Sequence, residues 1–299
     1  MKKECVAFKL TSEEKDLIEK HYKKFQVDND GEYIDFFAKK DDIAITIYVN
    51  KKEQYKITFL GVNALKEAKK WNKDASISEP KTNKACWIYL EDQIGSDEVG
   101  TGDFFGPISV TASLVRKEDI PFLKELGVDD SKRLKDDQII EIARILIKRI
   151  PYSQVSLDNE KYNELEKKGI NINAMKAMMH NQVLSNLVNK YHVNNVFVDQ
   201  FCEVNKYYEY LDKTQNIVHD INFKTKGETY FPSVAVSSII SRYAFLMKME
   251  KLNKKYDVKI PLGAGKKVDE FAKKFVKTFG KEELNKIVKM NFANYKNLD

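Results

Sequence analysis

Two adjacent acidic residues, Asp97 and Glu98, stand in the segment GSDEVGTGDFFGP directly before a turn that contains Gly100 and Gly102. A third acid, Asp199, follows a short apolar run further along the chain. Carboxylates at the ends of strands are suitable ligands for Mg²⁺, which prefers hard oxygen donors and retains several waters. Glycines permit a tight turn whose backbone amides approach a ligand closely. This spacing indicates a metal site, although an acid pair followed by GxG is also typical of a solvated turn.

The acids lie in a region, beyond residue 86, that predicts strands alternating with long helices, the pattern of an α/β domain. Predicted strands cover 108–115, 152–157, 194–201 and 216–223. One helix carries an apolar stripe that includes Ile142 and Leu146 and ends at Arg149, before Pro151. A second helix, with Asn173 as its cap, turns Met175, Met178 and Met179 toward the core. A third helix runs from Ser233 to Lys254 after Pro232.

The region before the acids has a different pattern. It predicts a helix over 12–24 capped by Ser12, strands over 33–40, 43–50 and 55–61, and a helix over 63–71. The polar segment DASISEPKTNKA has no apolar period and is typical of a linker. We therefore predict an N-terminal substrate-binding domain at 1–75, a linker at 76–86 and a catalytic domain at 87–299.

Charge and aromatic residues in the N-terminal region favour contact with a nucleic-acid backbone. All arginines lie at residue 116 or later, and lysine is a compact charge suited to phosphate rather than to base edges. The residues on which this prediction depends are Lys39, Lys40, Lys51, Lys52, Tyr33, Phe36, Phe37 and Tyr48. A domain that serves only as a packing appendage remains the alternative, because charged runs commonly just solvate a surface.

Composition limits the remaining possibilities. The chain has 299 residues, 42% of them hydrophobic, and its net charge of +6 is the difference between 51 basic and 45 acidic residues. It contains no apolar run of membrane-spanning length and no signal-peptide pattern, so we expect a cytoplasmic protein. The cysteines Cys5, Cys86 and Cys202 form no CxxC pair, and the histidines His21, His180, His192 and His219 have no ligand spacing. We therefore expect neither a disulfide framework nor a histidine-bound metal.

Six ordered segments resemble bacterial ribonuclease HIII, a type 2 ribonuclease H. They are GSDEVGTGDFFGPISV, DDSKRL, VDQF, TKGE, VSSIISRYAFL and GAGKKVDEFA, and together they span most of the chain after the linker. The resemblance implies a ribonuclease H-like mixed sheet flanked by helices, preceded by a small α+β domain similar to the TATA-box-binding protein fold. It also implies an endoribonuclease that hydrolyses the RNA strand of RNA/DNA hybrids and leaves 5′-phosphate and 3′-hydroxyl ends.

When the family's site residues are matched to this sequence position by position, the resemblance implies that the catalytic and metal-binding acids are Asp97, Glu98, Asp199 and Glu228. They would bind Mg²⁺ or Mn²⁺, with two ions about 4 Å apart during hydrolysis. Gly227 stands where the family has alanine, and an exposed loop glutamate is the alternative for Glu228. Ser237 and Ser241 likewise replace alanines that are usual in the family.

The resemblance also implies contacts with substrate. The backbone amides of Gly100, Thr101 and Gly102 are suited to hydrogen-bond ribose 2′-hydroxyl groups. Ser131 and Lys132 are suited to hold a neighbouring phosphate. Ser131 is equally consistent with capping the following helix, and Lys132 with a solvated position.

The expected partner is an RNA/DNA hybrid duplex, bound by a monomer without membrane attachment. One alternative is an enzyme similar to ribonuclease HII, which cuts at single embedded ribonucleotides; ribonuclease HII has an arginine where this chain has Thr101. Others are a DNA nuclease or recombinase of the wider superfamily, and a non-catalytic hybrid-binding protein with vestigial acids.

Overall fold

A computed structural model describes residues 4–29, 33–50, 54–77, 85–129, 134–212 and 216–298. The chain divides into two compact units, Met1–Thr82 and Asn83–Asp299. Ser131, Lys132, Lys51 and Lys52, all named above, lie outside the described residues, as does 78–84 of the predicted linker. None of the described helices is long and apolar enough to cross a membrane.

The first unit is a four-stranded antiparallel sheet with two helices. Its elements are β1 (Glu4–Leu10), α1 (Ser12–Tyr22), β2 (Ile34–Lys40), β3 (Ile43–Val49), β4 (Tyr55–Gly61) and α2 (Ala64–Ala68), with strand order β1-β4-β3-β2. Alternating strand residues such as Ile45, Ile57 and Phe59 pack with Ile18 and Tyr22 of α1 in one buried cluster. The core of this unit therefore lies between the sheet and its helices.

The N-terminal cap of α1 is Thr11, so the prediction of Ser12 was wrong by one residue. The Glu14 backbone N–H donates to the Thr11 hydroxyl at 3.2 Å, and the Thr11 N–H donates to the Glu14 carboxylate at 2.8 Å. This reciprocal pair requires an acceptor side chain three residues after the cap. Glu14 supplies that acceptor for Thr11, whereas Ser12 would be matched with Lys15.

The sheet face opposite the helices, which we call the open face, carries only part of the predicted aromatic surface. Phe36 is buried in the core at 4% exposure, whereas Tyr48 is 39% exposed. Lys40 is bound to Glu67 at 2.8 Å on the helix side. Because neighbouring strand residues face opposite ways, Phe37 and Lys39 lie on the open face while Phe36 and Lys40 do not. Residues of the open face include Lys9, Phe37, Lys39, Tyr48 and Lys56.

The second unit contains a five-stranded mixed sheet of order β7-β6-β5-β8-β9. Its strands are β5 (Gln93–Val99), β6 (Ile108–Val115), β7 (Tyr152–Leu157), β8 (Val196–Asp199) and β9 (Ile221–Lys224). Its helices are α3 (Ile120–Glu125), α4 (Asp136–Arg149), α5 (Asn159–Lys167), α6 (Ile172–Tyr191), α7 (Val204–Tyr210), α8 (Pro232–Tyr256), α9 (Lys266–Phe279), α10 (Lys281–Asn285) and α11 (Ala293–Lys296). β5 pairs antiparallel with β6 and parallel with β8.

Helices cover both faces of this sheet. Met175 and Met179 of α6 are buried against one face, which confirms them as core residues. Ile142 and Leu146 of α4 pack with α8 on the other side. Alternation of apolar residues from Ile108 to Leu114 predicted a strand with one apolar face, but every residue of β6 is buried because helices cover both faces of the sheet. The α6 cap is Asn171 rather than Asn173, because the Asn171 side chain accepts the Ala174 N–H at 2.9 Å.

Candidate active site

The four predicted acids line one cleft near the carboxyl ends of the central strand β5 and its neighbour β8. Asp97 and Glu98 belong to β5, Asp199 ends β8, and Glu228 lies in the short 3₁₀ helix Gly227–Thr229. The cleft has a volume of about 360 Å³. Its other lining residues are Val99, Ile139, Ser238, Ile239 and Arg242. Because β5 and β8 are parallel neighbours in the sheet, acids from separate segments of the chain meet in this cleft.

Asp97 faces α8 and is almost fully buried, with 7% exposure. Its carboxylate forms a hydrogen bond with the Ser238 side chain and accepts the Glu98 backbone N–H at 2.7 Å. Burial raises the pKa of Asp97 well above its usual value, and repulsion from Glu98 and Asp199 adds to the effect. A bound cation would relieve this cost, so the environment of Asp97 suits a metal ligand.

A row of serines holds β5 against α8. Serines at every fourth position of the helix hydrogen-bond to every second residue of the strand. The hydroxyls of Ser233, Ser237 and Ser241 donate to Gln93 Oε1 at 2.8 Å, Gly95 O at 2.8 Å and Asp97 O at 3.0 Å. The two spacings match, since four helical residues rise about 6.0 Å and two strand residues about 6.6 Å. The serines that depart from the family pattern thus position the strand that carries Asp97.

Glu98 faces the opposite side of the sheet and contacts α6. Its two carboxylate oxygens accept hydrogen bonds from Lys176 Nζ at 2.8 Å and His180 Nε2 at 2.9 Å. Burial alone would raise the pKa of Glu98, but the hydrogen bond and charge of His180 and the charge of Lys176 lower it to about 2. Glu98 is therefore ionised and held in one orientation.

Asp199 and Glu228 are joined through the turn that follows β9. The Gly227 backbone N–H donates to the Asp199 carboxylate at 2.8 Å. Burial raises the pKa of Asp199 to about 6; the Gly227 hydrogen bond opposes this rise, and repulsion from Glu228 and Glu98 adds to it. A Cβ atom at Gly227 would lie 3.2 Å from Val234 Cγ1, so glycine relieves a tight contact behind Glu228.

The donor set fits a hard divalent cation. Four carboxylates around a small cleft provide the oxygen ligands that Mg²⁺ and Mn²⁺ favour. Among the residues that the structure describes, no three His, Cys, Asp or Glu side chains converge as a closed metal cage. The opposite directions of Asp97 and Glu98 on β5 account for this arrangement, because neighbouring strand side chains diverge. The acids share a cleft without forming a preformed metal cage.

The predicted glycine turn follows β5 directly but does not line the cleft. Gly100 has φ of +98°, and a Cβ there would lie 2.2 Å from Pro107 O, so only glycine fits. The loop is braced from behind by the C-terminal region. The Gly263 N–H donates to Asp103 Oδ1 at 2.6 Å, and the Phe104 N–H donates to Gly263 O at 2.9 Å.

Lys289 is a fully buried lysine that supports the same loop. Its ammonium donates to Asp103 O at 2.7 Å and Gly106 O at 2.6 Å, and its backbone N–H donates to Phe104 O at 2.9 Å. Burial lowers the pKa of Lys289 to about 7, an effect that the negative charge of Asp103 partly offsets. A neutral amine retains two N–H groups, which is enough for both carbonyl acceptors.

Lys289→Met is expected to change how stability depends on pH. Between about pH 7 and 10.5 the unfolded chain carries a proton on Lys289 that the folded chain lacks. The free energy of unfolding of the wild type should therefore increase as the pH rises through that window. The free energy of unfolding of the variant should lack this increase. Denaturant unfolding at pH 7, 8, 9 and 10, with exposed Lys286→Met as the control, measures the difference. Parallel pH profiles for wild type and Lys289→Met would contradict the assignment.

Several functional candidates were missed from the sequence. They are Lys176, His180, Ser238, Arg242 and Lys289. His180 is a core residue with no exposed surface, and it also binds a candidate metal ligand. A usable signal was the spacing of Lys176 and His180, four positions apart on a helix otherwise rich in buried methionine and alanine. Arg242 lines the cleft and pairs with both oxygens of Asp136, at 3.1 and 3.2 Å.

Known proteins match both units. The Ribonuclease HII family model covers residues 94–295, and a model described as Domain of unknown function (DUF3378) covers residues 6–84. Ribonuclease HIII of Bacillus licheniformis is 44% identical over 273 residues, which cover 87% of this chain and 86% of that protein. Ribonuclease HIII of Listeria monocytogenes serotype 4b is 42% identical over 271 residues, with coverage of 87% and 86%. The crystal structure of Bst-RNase HIII in complex with Mn²⁺ aligns with a TM-score of 0.68 and 34% identity, covering 98% of this chain and 97% of that chain.

The mixed sheet with helices on both faces, the acid-lined cleft and the match over 94–295 define the class as type 2 ribonuclease H. The chain belongs to the ribonuclease HIII family. It is thus an endoribonuclease that cleaves the RNA strand of RNA/DNA hybrids, and the resemblance inferred from its motifs is confirmed.

Proposed function

We propose that Asp97, Glu98, Asp199 and Glu228 are the metal-binding acids through which this enzyme hydrolyses the RNA strand. This proposal rests on the observation that all four acids line one cleft of about 360 Å³. Cleavage depends on divalent metal ions, and Mn²⁺ or Mg²⁺ suits this donor set. When bound, such ions activate water and stabilise the charge that develops on the departing 3′ oxygen.

The protein side chains have separate tasks in this proposal. Asp97 would hold the metal together with the other three acids, and it is the acid whose charge is repelled by both Glu98 and Asp199. Ser238 and the Glu98 N–H orient its carboxylate from the α8 side and from the backbone. Asp199 is oriented by the Gly227 N–H, which also ties it to the turn that carries Glu228. Hydrolysis leaves a 5′-phosphate and a 3′-hydroxyl.

The turn Gly100-Thr101-Gly102 is proposed to recognise ribose 2′-hydroxyls next to the cleft. Gly102 has open space around the position of a Cβ and no positive φ, so internal packing does not require a glycine there. That space instead permits close approach of a ligand backbone to the turn. Ser131 and Lys132 are proposed to hold a neighbouring phosphate.

The assay that tests the activity uses a duplex with one labelled RNA strand and one DNA strand. Cleavage is expected with Mg²⁺ or Mn²⁺ and is expected to stop in excess chelator and to return when the metal is restored. A duplex of the same sequence with two DNA strands is the control. Binding of the hybrid without any cleavage under these conditions would favour the non-catalytic alternative.

The N-terminal unit is proposed to bind the hybrid backbone through its open face. Lys9, Lys56 and Tyr48 are cross-strand neighbours in one row, and Lys39 and Phe37 lie on β2. Ammonium groups beside aromatic rings on an exposed sheet suit phosphate contact without base recognition. A monomeric state and a cytoplasmic location remain predictions.

Replacing Lys39 and Lys56 with glutamine in the full chain should weaken hybrid binding more than it slows the chemical step. The slope of log affinity against log salt should fall by about 0.9 for each lysine that contacts a phosphate. Fluorescence anisotropy at a series of salt concentrations measures that slope, and kcat measures the chemistry. Exposed Lys20→Gln on α1, the helix side, is the matched control. An unchanged slope in the double variant would leave the first unit as a packing appendage.

A further inference from the structure

A compact group of side chains surrounds Glu98 on the α6 side of the sheet. We call Ser96, Glu98, Lys176, His180 and Phe201 the Glu98 cluster. Lys176 Nζ and His180 Nε2 bind the two Glu98 oxygens at 2.8 and 2.9 Å, and His180 Nδ1 lies 2.7 Å from the Ser96 hydroxyl. Phe201 packs on both partners, with its ring centroid 4.0 Å from Lys176 Nζ and 5.1 Å from the His180 ring centroid.

The geometry of this cluster distinguishes the roles of its two nitrogen partners. A carboxylate can only accept, so the proton between His180 and Glu98 belongs to Nε2. Ser96 then holds the other ring nitrogen from two residues earlier on β5, which fixes the orientation of the imidazole. Lys176 differs from His180 because its Nζ is a basic amine that pairs with Glu98 as an ion pair at 2.8 Å, in a site with only 7% exposure. Burial of an ammonium is costly unless its charge compensates another charge.

We propose that Lys176 is a built-in counter-ion that compensates Glu98 in the metal-free enzyme and thereby limits the affinity of the cleft for divalent cations. The inference rests on the proposed role of Glu98 as a metal ligand. Without metal, Glu98 faces repulsion from Asp97 and Asp199 in the same cleft. Lys176 offsets that repulsion and lets the acids fold together before an ion arrives.

The same charge opposes the ion once it binds. Both Glu98 oxygens are already engaged by donors, so a cation must share one of them with a positively charged or hydrogen-bonding neighbour. A unit charge within a few Å of a divalent ion repels it by more than the free energy of one decade of affinity, even at an effective dielectric constant of about 20. Removal of the Lys176 charge should therefore tighten metal binding while it destabilises the metal-free fold.

Calorimetric titration of the full-length protein with Mn²⁺ tests the first consequence. Lys176→Met is expected to lower the dissociation constant for Mn²⁺ by about tenfold or more. Lys176→Gln keeps a hydrogen-bond donor without the charge and should also lower the dissociation constant for Mn²⁺. It provides the test if Lys176→Met folds poorly. Lys176→Arg should bind Mn²⁺ as the wild type does. Lys168→Met removes a surface lysine paired with Glu164 and is the matched control.

Melting temperatures in chelator and in saturating Mn²⁺ test the second consequence. Lys176→Met should melt below wild type in chelator, and saturating Mn²⁺ should remove much of that deficit, because ligand that binds the folded state tightly stabilises it. A lysine with only a packing role would produce equal deficits in both conditions. Equal deficits, or Mn²⁺ binding that is unchanged or weaker in both neutral variants, would overturn the proposal.

Glu98→Gln separates the failure of this inference from failure of the proposed active site. If Glu98→Gln leaves Mn²⁺ binding unchanged, Glu98 is not a ligand and the proposed acid set is wrong. If Glu98→Gln weakens Mn²⁺ binding while Lys176→Met does not tighten it, the acid set stands and the counter-ion role of Lys176 is wrong.

Discussion

Asp97→Asn is expected to abolish cleavage of RNA/DNA hybrids while leaving hybrid binding near the wild-type level. Loss of groups that merely support metal ligands costs about 10 to 100-fold in activity, so loss of a proposed metal-binding acid should cost at least about 100-fold. Phosphate contacts made elsewhere on the protein do not depend on this carboxylate. Single-turnover cleavage rates and anisotropy measured on one labelled hybrid give the two quantities.

Asparagine has nearly the shape of aspartate, so the variant should fold. Removal of a buried charge whose pKa is raised should also leave the metal-free protein no less stable than wild type. Exposed Asp212→Asn is the matched control. Glu98→Gln and Asp199→Asn should follow the same pattern, with Glu228→Gln the mildest loss. Near-normal cleavage by Asp97→Asn would remove this residue from the site, and full activity of Glu228→Gln would move the fourth acid elsewhere.

The enzyme is expected to cut continuous RNA/DNA hybrids efficiently and to cut a DNA duplex with one embedded ribonucleotide very poorly. The segment from Ile260 to Phe275 contains no tyrosine. The resemblance to the type 2 ribonucleases H implies that ribonuclease HII has a tyrosine in the corresponding segment, which recognises the junction between RNA and DNA. Specificity should then depend on successive 2′-hydroxyls met at the turn Gly100-Thr101-Gly102. A site built around hydroxyl contacts rejects substrates that lack them, and we expect a rate difference on the order of 100-fold or more.

The comparison requires both substrates at equal concentration in Mg²⁺, with the scissile position in the same sequence context. The ratio of kcat/KM values measures the discrimination directly. Comparable values on the two substrates would show a preference of the ribonuclease HII type and would exclude dependence on a run of ribonucleotides.

Much of the fold and the candidate acids could be predicted because the relevant information is local in the sequence. Alternation of apolar residues predicted β6, and the stripe with Ile142 and Leu146 predicted α4. The candidate acids could be predicted from motifs, since Asp97 and Asp199 each lie at a recognisable point on a strand. Errors were of one or two residues where a cap depends on its partner three positions later, as for Thr11 and Asn171.

Other features depend on contacts between segments that are distant in the sequence. Phe36 and Phe37 are the same residue type in neighbouring positions. Only the packing of helices on one sheet face buries Phe36 and leaves Phe37 on the open face. The buried Lys289 was not recognisable as a loop support, because its carbonyl acceptors lie more than 180 residues earlier in the chain.

By itself the sequence determined the class of fold and the family, and it predicted the four candidate acids, because periodicity and motifs depend on residues that are near one another in the sequence. Only the tertiary structure decided how those acids are held. It turned Asp97 toward the serines of α8 and Glu98 toward Lys176 and His180 of α6, in the two directions that a strand offers. The charge state and orientation of each carboxylate follow from those partners, and burial and proximity to partners exist only after the sheet and its helices have packed together.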